Sequence, residues 1–174
     1  MSVLDKYEFN LAQLEDEENL LKVRNQKETR STSINKKIIS IEEHQKWFRE
    51  KLNSKFFHYY VLKDLNNNFI GLGYGEKFNI NDKSCIWGVR VLSNLKKTDK
   101  FGSIILYLLF NKLFSLKEIN KINCQVLKEF DWIKEWYIRW GHEIENFDEI
   151  NGCFNLHLLK NKWNSIKNEM LKNL

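Results

Sequence analysis

The sequence predicts an α/β protein in which a central mixed, mostly antiparallel sheet is flanked by helices and an extra helix follows at the C-terminus. Short segments rich in β-branched and aromatic residues alternate with longer amphipathic segments, in the order β-α-α-β-β-β-α-β-α-β. No proline, repeat or low-complexity stretch divides the 174 residues. We therefore expect one domain over residues 1–174, with a core over 1–160 and an amphipathic helix over 161–174.

The N-terminal third predicts one strand and two helices. Apolar and polar residues alternate over residues 7–14, which is typical of a strand. Residues 15–30 predict a helix, because acidic residues crowd its start and basic residues its end, complementing the helix dipole. Ser40 is followed three residues later by Glu43, the spacing of a capping box, so a second helix should begin at Ser40.

Two antiparallel strands should follow. Residues 55–64 include FFHYYVLKD, a run rich in aromatic and β-branched residues that favours a strand. Three consecutive asparagines then favour a turn. The returning strand, FIGLGYGEKFNI, carries Gly71, Gly73 and Gly75, which would let another group approach its backbone closely.

The stretch CIWGVRV, LKKTDKFG, SIILYLLFNKLF organises the chain as a strand, a basic loop and a buried helix. Apolar residues cover nearly the whole circumference of that helix, and Ser103 is its expected N-cap. A loop at a helix N-terminus offers unpaired N–H groups and a positive dipole end, which suit a phosphate or pyrophosphate. The alternative is a solvated basic turn between two core elements.

The C-terminal third predicts a strand in INKINCQVL and a short aromatic helix that ends at Gly141, a favoured C-terminal cap. One or two closing strands follow, with a hairpin turn at Asn151 and Gly152. The last helix places Trp163 and several aliphatic residues on one face. That face should close either the core of the monomer or a homodimer.

Composition narrows the class of protein. The 28 basic and 23 acidic residues give a net charge of +5, a balance too mixed to indicate a nucleic-acid partner. The three cysteines are widely spaced and odd in number, which favours a reducing compartment. No signal-like segment or bilayer-length apolar run is present in the sequence, so we expect a cytoplasmic protein without a membrane span. Histidines and cysteines lack metal-ligand spacing, and we expect no metal.

The element order and several local strings resemble the GNAT superfamily of acyl-CoA-dependent N-acetyltransferases. The most specific string is RNQKETRSTSINKKIISIEEHQKWF, which is similar to the branch that acetylates nucleotide-linked amino sugars, with the pseudaminic acid pathway acetyltransferases as the nearest type. Two motifs depart from the superfamily pattern. Lys100 stands where the acyl-CoA loop usually has its first glycine, and Phe130 stands where a later helix motif usually has asparagine.

The resemblance implies transfer of an acetyl group from acetyl-CoA to the amine of a nucleotide-linked deoxyamino sugar in surface-glycan synthesis, by direct attack in a ternary complex. It assigns acetyl-CoA binding to Val89, Val91, Lys97, Lys100, Phe101, Gly102 and Ser103. It assigns the acceptor to Arg24, Asn25, Arg30, His44, Trp47 and Trp87. Arginines suit a diphosphate because the guanidinium grips phosphate bidentately.

Tyr137 matches the general acid of the superfamily and would protonate the leaving thiolate. Glu76 and His44 are the candidates for the base that accepts the amine proton, with a water chain as the alternative. A backbone N–H at the bulged end of the strand 87–91 would stabilise the carbonyl oxygen as it becomes negative. Each side chain also has an ordinary structural interpretation: an aromatic helix residue, a solvated strand end, or a packed helix residue.

Two other functions fit the same sequence. An enzyme of the same fold could acetylate a protein N-terminus or a small amine. Alternatively, Lys100 and Phe130 could mark a degenerate domain that binds a ligand or partner without turnover.

Overall fold

The computed structural model describes residues 3–174, and of Lys97 it describes the backbone alone. Seven strands and six α-helices alternate along these residues. The strands are β1 (Tyr7–Leu11), β2 (His58–Asp64), β3 (Phe69–Asn79), β4 (Ser84–Val91), β5 (Lys121–Leu127), β6 (Glu143–Asp148) and β7 (Cys153–Leu159). The helices are α1 (Glu17–Asn25), α2 (Lys27–Ser31), α3 (Ile41–Leu52), α4 (Phe101–Ser115), α5 (Asp131–Arg139) and α6 (Lys160–Lys172).

All seven strands form one sheet in the order β1-β2-β3-β4-β5-β7-β6. Every neighbouring pair is antiparallel except β4 and β5, which are parallel. The parallel ladder covers three residue pairs and ends where Ile86 faces Asn123. Beyond that pair the strands part, which leaves an opening between residues 87–91 of β4 and 124–127 of β5. The prediction of a mixed, mostly antiparallel sheet is confirmed.

The sheet carries helices on both faces, and each face has its own apolar core. Under α1 and α3 the core is small; its buried members are Ala12, Leu20, Val23, Phe48, Phe57, Tyr59, Val61 and Leu72. Under α4, α5 and α6 the core is larger and includes eight buried residues of α4. The buried central helix predicted from its apolar circumference is therefore confirmed.

The first predicted helix is in fact two. Gln26 has an extended backbone (φ −60°, ψ 147°) and separates α1 from α2. Its side-chain amide explains the break, because Nε2 donates to the Val91 carbonyl at 2.7 Å and Oε1 accepts from the Ser93 amide at 3.1 Å. The break thus ties the α1–α2 junction to the end of β4, 65 residues further along the chain.

The central helix begins three residues earlier than the predicted cap implies. Lys100, not Ser103, is the N-cap residue of α4, and it has a left-handed backbone (φ 54°, ψ 24°). The Ile104 amide donates to the Lys100 carbonyl at 3.0 Å, so the first helical hydrogen bond already spans Ser103. The prediction of Ser103 as the cap is wrong. The structure instead explains why a glycine would suit position 100, since glycine adopts this conformation freely.

The predicted start of α3, the predicted end of α5 and the predicted hairpin turn before β7 are confirmed. Ser40 Oγ accepts from the Glu43 amide at 3.1 Å at the start of α3. Gly141 has φ +86° just after α5, and Gly152 has φ +61° in the turn between β6 and β7.

The C-terminal helix closes the core of the chain itself. Trp163 is 1% exposed, stacks on Trp140, and its Nε1 donates to Asn111 Oδ1 of α4 at 3.1 Å. Of the two predicted uses of this face, the structure shows the first. Within residues 3–174, no helix is long and apolar enough to cross a membrane.

Candidate functional site

A cavity of about 240 Å³ lies between helices α1 and α3 and the sheet surface of β2, β3 and β4. Its lining combines charged, aromatic and aliphatic side chains: Leu20, Arg24, Ile39, Glu43, His44, Trp47, Tyr59, Leu72, Glu76 and Arg90. The structure thereby brings together four of the residues that the sequence proposed for the acceptor and the base, namely Arg24, His44, Trp47 and Glu76.

Arg24 is the buried cation of this cavity. It is 8% exposed, and its Nη2 donates to the Asn35 carbonyl at 2.9 Å. Its Nη1 is buried without a hydrogen-bond partner in the part of the chain that the structure describes. Burial, and then the nearby positive charge of Arg90, lower the pKa of Arg24. An unpaired buried guanidinium N–H is costly, so the site suits a ligand that brings an acceptor, ideally an anion.

Arg90 is a second cation at the cavity wall, and no motif in the sequence singles it out. Its guanidinium lies over the ring of Tyr74, with Cζ 4.9 Å from the ring centroid. Its Nη2 donates to the Tyr74 hydroxyl at 3.3 Å. Within residues 3–174, neither Arg24 nor Arg90 has a carboxylate at ion-pair distance.

Glu76 also lines the cavity, and a hydrogen bond holds its carboxylate. Its Oε2 accepts from the Tyr59 hydroxyl at 2.8 Å. Burial, followed by the charge of Glu76, raises the pKa of Tyr59 well above its ordinary value, so the phenol remains a donor. This hydrogen bond orients the carboxylate, as a positioned base requires.

His44 is anchored rather than free. Its Nε2 lies 3.0 Å from the carbonyl of Glu17, which can only accept, so Nε2 carries the proton. Burial lowers the pKa of His44, and the ring stacks on Phe48. His44 therefore joins α1 to α3 in neutral form at the edge of the cavity.

Asn25 and Arg30 do not line the cavity. Asn25 bonds to both main-chain groups of Ile39, at 2.7 and 3.0 Å. Arg30 donates from Nε to the Asn25 carbonyl at 2.9 Å. Both side chains hold the loop between α2 and α3, and that loop supplies Ile39 to the cavity wall.

The opening between β4 and β5 is the second part of the site. The Leu92 amide donates to the Ile70 carbonyl on β3. Because main-chain groups alternate in direction along a strand, the N–H and C=O groups of Val89 and Val91 point away from β3, toward β5. The Val91 carbonyl on that edge accepts from Gln26 Nε2 at 2.7 Å. The predicted bulge is not at residues 87–91, where the register with β3 is regular; the register shift lies in β3, near Lys77 with φ 51°.

Tyr137 reaches into this opening from α5. Its ring meets that of Trp87 edge-on at 4.9 Å. Burial, and then Cys124 of β5 and Tyr74, raise the pKa of Tyr137 well above its ordinary value. Trp87, proposed for the acceptor, lies here and not at the cavity, and its Nε1 is buried without a partner among the described residues.

The loop after β4 leads to the N-terminus of α4. Lys100 Nζ donates to the Asn173 carbonyl at 2.9 Å, an exposed contact. A Cβ at Gly102 would lie 3.3 Å from the Trp136 ring, so the glycine lets α4 start close to α5. The side chain of Lys97 lies outside the described residues.

A second cavity, of about 400 Å³, lies at the other end of the sheet beside Phe56, Phe78 and Ile80, and contains none of the proposed residues. In residues 3–174, no group of three or more His, Cys, Asp or Glu could hold a metal ion. The three cysteines are buried free thiols.

The strand order, the parting of β4 from β5 and the helix that follows β4 give the chain the fold of the GNAT N-acetyltransferases. Solved structures with this fold include a spermidine N-acetyltransferase from Vibrio cholerae in complex with CoA and spermine. It has a TM-score of 0.81 and 16% identity, over 91% of this chain and 98% of that one. The spermidine/spermine N-acetyltransferase of Vibrio cholerae in complex with manganese ions has a TM-score of 0.77 and 16% identity, over 94% and 98%.

At this identity the likeness establishes the fold. The sequence matches no protein-family model, and no curated protein matches it significantly.

Proposed function

We propose that the protein is an N-acetyltransferase that moves an acetyl group from acetyl-CoA to an amine by direct attack in a ternary complex. One observation carries the proposal. The buried hydroxyl of Tyr137 lies in the opening between β4 and β5, and on the other face of the same strands a cavity holds an oriented carboxylate, Glu76. A thioester in the opening and an amine in the cavity would meet at β4.

The donors around the opening fit acetyl-CoA. The first turn of α4 offers amides without helical acceptors to a pyrophosphate, and Lys100 adds a positive charge whose present contact is exposed. Val89 and the Val91 amide would bond to the pantetheine amides along this edge of β4, while the Val91 carbonyl keeps its hydrogen bond from Gln26 Nε2. The unpartnered Nε1 of Trp87 also suits a ligand that brings an acceptor into the opening.

The chemistry needs positioning more than activation, because a thioester is already reactive toward a neutral amine. Glu76 would accept the proton that the amine nitrogen loses. Tyr137 would donate its proton to the departing thiolate, and its raised pKa keeps that proton in place at neutral pH.

For the acceptor we propose an amine that also carries an anionic group, as a nucleotide-linked deoxyamino sugar does. The support is the charge of the cavity, where Arg24 leaves Nη1 unpaired and Arg90 stands nearby without a carboxylate. A diphosphate would satisfy both guanidiniums.

A second candidate is a small amine. Its support is the fold neighbour from Vibrio cholerae, whose structure contains CoA and spermine. Arg24 and Arg90 would repel the positive charges of a polyamine, whereas Glu43 and Glu76 of the same cavity would attract them. We place the polyamine second because the unpartnered Arg24 Nη1 calls for a ligand that brings an acceptor.

The test begins with calorimetric titration of the protein with acetyl-CoA and coenzyme A. Thiol release is then measured with nucleotide-linked amino sugars, with spermidine and with a peptide amine. Turnover of the first class alone supports the full proposal, and turnover of spermidine alone would replace its acceptor. Saturable binding without turnover of any amine would favour the degenerate domain, and no binding of either acetyl-CoA or coenzyme A would reject the acetyltransferase proposal.

Tyr137→Phe tests the general acid. We expect kcat to fall by about 10² to 10⁴-fold, the usual contribution of a positioned acid, with little change in the affinity for acetyl-CoA. Tyr107→Phe is the matched control, because Tyr107 is a buried tyrosine of α4 packed on Trp163. Unchanged turnover in the Tyr137 variant would remove that residue from the mechanism.

A further inference from the structure

Tyr74 lies on the sheet surface between the cavity and the opening. On β3 it stands between Leu72 and Glu76, which both line the cavity, and alternate residues of a strand share one face. Its neighbours across the sheet are Tyr59 on β2 and Gly88 on β4. Gly88 is two residues beyond Ile86, where the pairing of β4 with β5 ends.

The ring of Tyr74 is held on three sides. It stacks on Tyr59 with centroids 4.9 Å apart and planes 8° apart. The Arg90 guanidinium covers it from β4. A Cβ at Gly88 would collide with the ring and hydroxyl of Tyr74, so glycine is what lets this hydroxyl lie directly over the β4 backbone.

The hydroxyl of Tyr74 has an unused proton. Its oxygen accepts from Arg90 Nη2 at 3.3 Å, and residues 3–174 provide no acceptor for its O–H. A phenol that accepts a hydrogen bond from a guanidinium becomes a stronger donor, because linked hydrogen bonds polarise one another. Tyr74 also lies near enough to Tyr137 to contribute to the raised pKa of that residue.

We propose that Tyr74 is a catalytic residue whose hydroxyl donates a hydrogen bond to the thioester carbonyl oxygen and to the oxyanion that forms from it. This inference rests on the proposed acetyl transfer. It supplies a side-chain donor where the sequence predicted a backbone donor in a bulge, and that bulge lies elsewhere.

The amine lone pair forms the N–C bond, and the C=O π pair moves to oxygen, where the Tyr74 O–H stabilises the charge without transferring its proton. Glu76 takes one proton from nitrogen. The oxyanion re-forms C=O, the C–S bond breaks with its electron pair on sulfur, and Tyr137 protonates that thiolate; solvent returns a proton to Tyr137 and removes one from Glu76.

Tyr74→Phe tests the inference, because phenylalanine keeps the stacking and the contact with Gly88 and removes the hydroxyl alone. With acetyl-CoA labelled with ¹³C at the carbonyl, infrared difference spectra report the bound C=O stretch without any acceptor. We expect the band to move to higher frequency in the variant, since a hydrogen bond to the oxygen is lost. With an acceptor, kcat should fall by about 10² to 10³-fold, the usual loss for one oxyanion donor, at an unchanged KM for acetyl-CoA.

Tyr60→Phe is the control variant. Tyr60 is a buried tyrosine of β2 on the opposite face of the sheet, and its hydroxyl bonds to His58 Nδ1 at 3.2 Å. The Tyr60→Phe variant should leave the C=O band of bound acetyl-CoA and kcat unchanged. Arg90→Met is the second variant: it removes the polarising donor, so the band should move in the same direction by a smaller amount.

Three results would overturn the inference. The first is a Tyr74→Phe protein with the wild-type band and kcat. The second is a rise in the KM of the amine with the band unchanged, which would make Tyr74 an acceptor-binding residue. The third is a band shift in Trp87→Phe and none in Tyr74→Phe, which would transfer the role to the indole N–H. Failure of wild-type protein to bind acetyl-CoA is separate, because it rejects the acetyltransferase proposal itself.

Discussion

The two faces of the sheet bury very different side chains. Under α4, α5 and α6, aliphatic and aromatic residues fill the space almost completely, and Trp163, Phe110 and Trp140 pack edge to face or stacked. Under α1 and α3, a smaller apolar cluster borders a cavity that holds two guanidiniums, two carboxylates and a buried imidazole. The first face buries the larger set of apolar residues, and the second holds the charged groups to which we assign the choice of ligand.

The faces meet where β4 leaves β5. Tyr137 approaches that point from the packed face and Tyr74 from the cavity face. The two are close enough that Tyr74 contributes to the raised pKa of Tyr137. If this division is correct, substitutions on the packed face should change stability, and substitutions on the cavity face should change the choice of ligand.

Removing Trp163 should give the largest effect on stability. Trp163 is fully buried, and its replacement by alanine leaves a large cavity in the packed face. We expect Trp163→Ala to lower the free energy of unfolding by about 3 to 5 kcal/mol, measured by urea denaturation. Trp132→Ala is the control, because Trp132 is 66% exposed and should change stability little. Equal losses in the two variants would contradict the packing of α6 on the core.

Removing Arg24 should change the ligand preference instead. We expect Arg24→Met to raise the KM for an anionic amine acceptor by about 10 to 100-fold, the value of a hydrogen bond to a charged group, and to leave spermidine unaffected or improved. Arg30→Met is the comparison, because the sequence assigned both arginines to the acceptor while only Arg24 lines the cavity. An equal rise in both variants would return Arg30 to the binding site.

The packed face could be predicted from the sequence because its signals are local. The apolar circumference of α4, the face of Trp163 and the cap at Ser40 each depend on residues within a few turns. The same holds for Gly141, whose positive φ follows from its place after a helix.

The cavity face was harder to predict because its contacts join distant segments. Gln26 breaks a helix by bonding to Val91, and nothing in the surrounding sequence signals that partner. Arg90 and Tyr74 become neighbours only through the register of β3 and β4. Alternation does place both on one face, so their pairing could have been proposed once the register was known.

His142 should make the stability of the packed face depend on pH. Burial lowers the pKa of His142 to about 3 from its ordinary value of 6.5, and its Nε2 has no partner within residues 3–174. As pH falls from 6.5 toward 3, the unfolded chain binds a proton at this residue and the folded chain does not. The contribution of His142 to the free energy of unfolding is therefore complete above pH 6.5. Below that pH it declines by about 1.4 kcal/mol per pH unit.

His142→Phe tests this dependence. The ring fills the same space but cannot bind the proton, so the unfolding free energy of the variant should fall less steeply between pH 6 and pH 4 than that of the wild type, by about 1.4 kcal/mol per unit. Urea denaturation at several pH values measures both slopes. Parallel slopes would show that His142 gains its proton in the folded protein.

Lys100 should give the smallest effect, and it lies at the N-terminus of α4, where we propose that acetyl-CoA binds. A left-handed backbone costs a residue with a Cβ about 1 to 2 kcal/mol, and glycine avoids that cost. Lys100→Gly and Lys100→Ala both lose the contact with Asn173, so the two variants differ mainly in this strain. We expect the glycine variant to be more stable than the alanine variant by about 1 kcal/mol in urea denaturation.

The same pair separates the backbone of residue 100 from its charge. Both variants lose the ammonium, so both should raise the KM for acetyl-CoA if Lys100 contacts the pyrophosphate. A rise in the alanine variant alone would mean that the left-handed turn, and not the positive charge, prepares the loop for its ligand. Since glycine restores the residue typical of the superfamily, that outcome would make Lys100 a tolerated replacement rather than a binding group.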